Sequence, residues 1–191
     1  MRKLFWFLAL AVLLPATPAD AQIEARGGVG LPSGSVVGGE LETGYGLSLG
    51  VGFEVAPLLS IYGAYNRYTF GLALPTVPGV EDQDADVVDL GYTLGAEFRP
   101  ALLGAIVPWL RAGLLYDEVE LKLIEENGST TFTSDSSLGY EVGGGLAFQI
   151  SPLISITPGV RYRHLSPDFD QFESENEISY WAIELGVSYN R

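Results

Sequence analysis

The 191-residue chain has no cysteine. That excludes disulfides, thiolate metal sites and a cysteine nucleophile. It has one histidine, His164. Basic residues are scarce: 10 Lys and Arg stand against 24 Asp and Glu, a formal charge of −14. Nucleic acid is bound through clustered cations, so it is excluded as a partner. Past the first two dozen residues, no apolar run reaches the ~20 residues that a membrane-spanning helix needs. No cofactor is expected.

What the chain does have is glycine, 24 residues of it, and a repeated alternation. The stretch Thr43 to Val55 shows it best. Tyr45, Leu47, Leu49, Val51, Phe53 and Val55 are large and apolar, while Gly44, Gly46, Ser48, Gly50, Gly52 and Glu54 are small or polar. Successive strand side chains point to opposite faces, so this is a strand with one oily face. It has the length a tilted strand needs to cross a bilayer. Its aromatics stand near the two ends of the oily face, where membrane interfaces favour them.

Ahead of the repeats stands a targeting segment. Arg2 and Lys3 form a positive start, Leu4 to Leu14 an apolar stretch, and Ala19-Asp20-Ala21 a cleavage site. Residues 1–21 are read as a cleaved signal peptide and 22–191 as one domain.

Seven more strands follow the same logic. The first is Gln22 to Leu31. The one from Ser60 to Leu72 has an unclear phase, because Tyr62, Ala64, Tyr68 and Phe70 compete with Ile61 and Tyr65; a bulge there would explain it. Stripes then recur at Val88–Phe98, Leu110–Tyr116, Leu138–Phe148, Ile156–Tyr162 and Trp181–Tyr189. Connections alternate short and long, and two short ones share a phrase, Pro57-Leu58-Leu59-Ser60-Ile61 and Pro152-Leu153-Ile154-Ser155-Ile156. Pro32 to Glu42 reads as a Gly- and Ser-rich loop. Glu118 to Asp135 is long and polar, its first part extending a strand beyond the membrane.

Eight strands let the last pair with the first, which removes both sheet edges. The expected fold is all-β, an eight-stranded antiparallel up-and-down transmembrane barrel. A soluble barrel with its oily face inward is the competing reading. Aromatics at both ends of the stripes, glycine on the opposite face and asymmetric loops weigh against it.

With these stripes and turns, the chain resembles the small outer-membrane β-barrel domain family that includes the OmpA and OmpX transmembrane domains. The final strand, Glu184 to Tyr189, looks like the assembly signal of such barrels, although Arg191 stands where they end in an aromatic. The resemblance implies location in the outer membrane of a Gram-negative bacterium. It also implies contact with outer-membrane lipids and lipopolysaccharide, handling by the barrel-assembly machinery and a monomeric state. The expected role is structural, adhesive or otherwise one of surface interaction. The channel reading is a narrow ion path.

The inward set includes Glu24, Arg26, Glu54, Asp89, Glu97, Arg99, Arg111, Asp117, Glu141, Arg161, Arg163 and Glu184. Opposite charges in a narrow lumen pair up, because an unpaired one costs several kcal/mol. Asp82, Asp84 and Asp86 have the spacing that opens a calcium loop, but Val87 and Thr93 stand where that loop needs Gly and Glu. His164, Ser166 and Glu177 share the lipid-side parity at the outer ends of adjacent strands. A Ser–His–carboxylate set hydrolyses esters, and Glu175 competes for the carboxylate role. The segment His164-Leu165-Ser166 resembles the His-x-Ser segment of the lipid A 3-O-deacylase family, departing from it at Pro167 and Asp168.

Overall fold

A computed structural model describes residues 21–33, 35–36, 39–73, 84–100, 105–125, 128–167 and 177–190. The leader expected over 1–21 lies outside these apart from Ala21, and so do Asp82, Glu173, Glu175 and Arg191. Among the described residues eleven strands form one sheet: β1 (Ala21–Pro32), β2 (Ser35–Val36), β3 (Gly39–Leu41), β4 (Gly44–Ala56), β5 (Leu59–Ala73), β6 (Asp84–Phe98), β7 (Ile106–Glu125), β8 (Gly128–Thr133), β9 (Ser137–Gln149), β10 (Ile154–Leu165) and β11 (Ile178–Asn190).

Eight of them make a closed antiparallel barrel in the order β1-β4-β5-β6-β7-β9-β10-β11. Closure comes from β1 on β11, with Gln22 opposite Asn190 and Leu31 opposite Trp181. The start of β1, the end of β11 and the short turns therefore share one end, and the long connections share the other.

Two short pieces, β2 and β3, fall inside the expected loop Pro32 to Glu42. They form a hairpin that adds to β5 through Glu40–Ala73 and Leu41–Leu72. β7 outruns the barrel: its pairing with β9 stops at Asp117–Ser137, while its pairing with β6 continues to Asp84–Ile124. β8 folds back on this overhang from Glu120–Thr133 to Glu125–Gly128.

The oily stripes face outward. Tyr45, Leu47, Leu49 and Val51 of β4 are exposed, as are Trp181, Ile183, Leu185, Val187 and Tyr189 of β11. Outside such a barrel lies lipid, so this exposure is burial in the bilayer.

The bulge expected in β5 is absent. Its register is unbroken against β6 from Leu59–Phe98 to Leu72–Ala85. Tyr62, Ala64, Tyr68 and Phe70 all point inward and are buried, while Ile61 and Tyr65 point outward. Aromatics on both faces, not a slip of phase, produced the ambiguity. The one shift between β4 and β5 lies between Glu54 and Ala56.

Candidate functional site

The lumen is filled by three tiers of arginine. Nearest the chain ends, Arg111 donates from Nη1 and Nη2 to the two oxygens of Glu24, at 2.8 and 3.1 Å, and also contacts Glu97. Arg26 joins Glu24 at 2.9 Å, and Arg99 joins Glu97 at 2.7 Å. The guanidiniums of Arg26 and Arg111 lie over the Trp109 ring, at 4.5 and 4.8 Å. In the middle tier Arg161 is fully buried and holds Glu184 from Nε at 2.7 Å and Glu141 from Nη1 at 3.0 Å. Tyr62 donates to Glu141 at 2.7 Å, and Tyr68 donates to Glu184. In the outer tier Arg163 contacts Asp89 at 3.0 Å and Asp117 at 2.7 Å.

Glycine makes room for these large groups. A methyl on Gly143 would lie 2.6 Å from Cγ of Arg161, one on Gly145 2.7 Å from the Trp109 ring, and one on Gly113 2.8 Å from the Tyr62 hydroxyl. Glycine on the inner face of one strand admits a guanidinium or ring from another.

Above the outer tier the lumen turns apolar. Phe70, Leu72, Ala85, Val87, Val119, Leu121, Leu165 and Ile178 cluster with the rings of Tyr68 and Tyr180. Charge sits below this cap.

The structure thus brings together Asp89, Glu97, Arg99, Arg111, Glu141, Arg161, Arg163 and Glu184. Glu54 does not join them. Its parity is inward, but it stands at the end of β4, where the register shifts before the Pro57-Leu58 turn, and its side chain is exposed. The groups that parity alone missed are Tyr62, Tyr68, Tyr180 and Trp109. Trp109 and Tyr180 follow from the outward Leu110 and Trp181 beside them, while Tyr62 and Tyr68 were legible only once the β5 phase was known.

Asp84 and Asp86 lie within strand β6.

His164 and Glu177 lie on the outer surface, with Nδ1 of the imidazole 3.4 Å from a carboxylate oxygen of Glu177. His164 continues a row of rings across β9, β10 and β11: it lies 5.0 Å from Tyr140, Tyr140 lies 6.3 Å from Tyr162, and Tyr162 lies 5.1 Å from Trp181. Ser166 is exposed just past β10, and among the described residues no hydrogen bond joins it to His164.

A closed eight-stranded barrel, oily outside and packed with charge inside, defines a transmembrane barrel of the bacterial outer-membrane type. The family profile of the outer membrane protein beta-barrel domain matches residues 6–190, and the chain belongs to that family. Solved structures share the fold. Neisserial surface protein A is 16% identical, with 88% of this chain and 96% of that one covered and a TM-score of 0.63. OprG of Pseudomonas aeruginosa is 14% identical, covering 91% and 97%, with a TM-score of 0.58. Ail, the attachment invasion locus protein of Yersinia pestis, is 16% identical, covering 92% and 100%, with a TM-score of 0.55. No curated protein matches the chain.

Proposed function

We propose that this protein is a monomeric surface-interaction module of the bacterial outer membrane, with a lumen closed to ions. It reaches that membrane through a cleaved leader and is inserted by the barrel-assembly machinery. The observation that carries this reading is the filled lumen. Buried arginine–carboxylate pairs occupy it, and an apolar cap closes its outer end. A filled lumen favours a role at the outer surface over transport.

That surface has a built feature, the β6–β7–β8 overhang. Its outward residues include Glu118, Glu120, Lys122, Thr131 and Thr133, a polar set suited to contact with water, sugars or another protein. Ail and Neisserial surface protein A bear names that speak of attachment and of the cell surface. The outward aromatics meet the lipopolysaccharide leaflet. The test is adherence: a non-adherent host displaying the protein should bind surfaces or cells more strongly than one displaying a variant with 118–135 replaced by a tight turn. Equal adherence would refute the role.

A second reading rests on His164 and Glu177. Glu177 lies 3.4 Å from Nδ1 of His164 without a hydrogen bond to it, and the two with Ser166 would make up an ester-hydrolysing set. Lipid A mass spectrometry after expression tests it. Loss of one acyl chain that disappears in Ser166→Ala would support it, and unchanged lipid A would dismiss it.

A further inference from the structure

Six described carboxylates are buried in the lumen: Glu24, Glu97, Asp89, Asp117, Glu141 and Glu184. Five arginines meet them: Arg26, Arg99, Arg111, Arg161 and Arg163. The set is one positive charge short, and the shortage is uneven. The tier near the chain ends sets three arginines against Glu24 and Glu97. The middle and outer tiers set only Arg161 and Arg163 against four carboxylates.

Glu141 and Glu184 take Arg161 and the hydroxyls of Tyr62 and Tyr68. Asp89 and Asp117 are left with Arg163. Its Nη1 donates to Oδ2 of Asp89 at 3.0 Å and its Nη2 to Oδ2 of Asp117 at 2.7 Å. Tyr180 also donates to Oδ2 of Asp89, at 2.6 Å. Oδ1 of each aspartate is buried with no hydrogen-bond partner.

These two bare oxygens belong to carboxyl groups that share one arginine. Asp117 stands opposite Gly91, on the same face of β6 as Asp89. Both carboxyl groups meet the tip of one guanidinium, Nη1 of Arg163 on Asp89 and Nη2 on Asp117, and Oδ1 of Asp117 turns onto β6, where a methyl on Gly91 would collide with it. Both residues are fully buried, and Val87 and Val119 of the apolar cap flank them in sequence. Two ionised carboxylates cannot satisfy each other in such a place, since neither is a donor and like charges repel.

We propose that Asp89 and Asp117 hold a single proton between them, one as a carboxylic acid donating to the other as a carboxylate. That proton brings six carboxylates and five arginines to neutrality. It is a bound ligand of the folded barrel, taken up when the outer tier closes. The charged and titratable groups facing the pair are Arg163 and Arg161 from β10, Tyr180 and Glu184 from β11, Glu141 from β9 and Tyr68 from β5.

Infrared spectra of the full chain folded in detergent at neutral pH test the proposal. The wild type should show the carbonyl stretch of a protonated carboxylic acid, shifted on deuteration and absent from Asp89→Asn and Asp117→Asn. Asn at position 117 places an N–H where the proton sits, so Asp117→Asn should match or exceed the wild type in urea unfolding. Asp117→Ala should lose at least about tenfold in the folding constant. As pH rises, the wild type should lose ground to Asp117→Asn by up to about tenfold in folding constant per pH unit, the slope for one proton. A wild-type spectrum without the band, or a band persisting in both Asn variants, would overturn the proposal. The wild-type spectrum decides it even where a variant fails to fold.

Discussion

Arg161 has no exposed surface, and Glu141 and Glu184 both depend on it. Arg161→Leu removes the guanidinium from both: Glu184 keeps the Tyr68 hydroxyl, and Glu141 keeps the Tyr62 and Thr93 hydroxyls and a longer contact to Arg163 at 3.4 Å. The cost should be about 3–5 kcal/mol, the usual penalty for breaking a buried pair from one side, read as an earlier urea midpoint for the folded barrel. Tyr68→Phe removes one donor to Glu184 and leaves Arg161 in place, so it should cost about 1–3 kcal/mol. A loss for Tyr68→Phe equal to that for Arg161→Leu would show that the hydroxyl, not the guanidinium, holds the carboxylate. At the turn end, Leu58 adopts a φ of 69°, a left-handed conformation that a side chain disfavours and glycine tolerates. Its side chain is half-exposed, so Leu58→Gly gives up little packing. It should stabilise the barrel by about 1 kcal/mol in the same assay.

Single strands were the most legible part of the chain, because a period of two survives wherever one face meets lipid and the other meets charge. β4 and β11 could be assigned residue by residue from Tyr45 and Trp181 onward. β5 could not. A tyrosine suits a membrane interface and a crowded lumen equally, and only pairing shows that Tyr65 serves the first and Tyr62 and Tyr68 the second. Parity also says nothing about where a strand stops, which is why Glu54 was assigned to the lumen. The overhang was legible as length and polarity but not as a hairpin, since Thr-rich β8 carries no oily stripe. It contributes few residues to the barrel wall. Replacing 118–135 by a tight turn should therefore leave an oily-faced, closed barrel. The variant's SDS mobility should still change on boiling, and a variant that runs as unfolded before heating would show that the overhang is needed for closure.

Closure and filling together determine how the whole molecule meets the membrane. Tyr45 and Phe53 of β4, like Trp181 and Tyr189 of β11, bracket the oily face eight residues apart. At about 3.3 Å per residue and a tilt near 40°, that spans roughly 20 Å of membrane, close to the apolar band of outer-membrane barrels. Among the described residues the barrel strands present no free edge to lipid along this span, and their backbone groups pair across the barrel apart from the break in the β9–β10 register at Thr157 and Pro158. An ion entering from either side would have to displace an arginine from its carboxylates, and then pass Phe70, Val87, Leu121 and Ile178 without water. Both steps carry a desolvation penalty of several kcal/mol. Planar-bilayer recordings of the folded protein should thus show little or no steady current. Arg161→Leu should not open a pore, because the apolar cap above it is untouched. A large steady conductance from the wild type would mean that the tiers exchange partners and the cap opens, and the narrow-channel reading would replace the closed one.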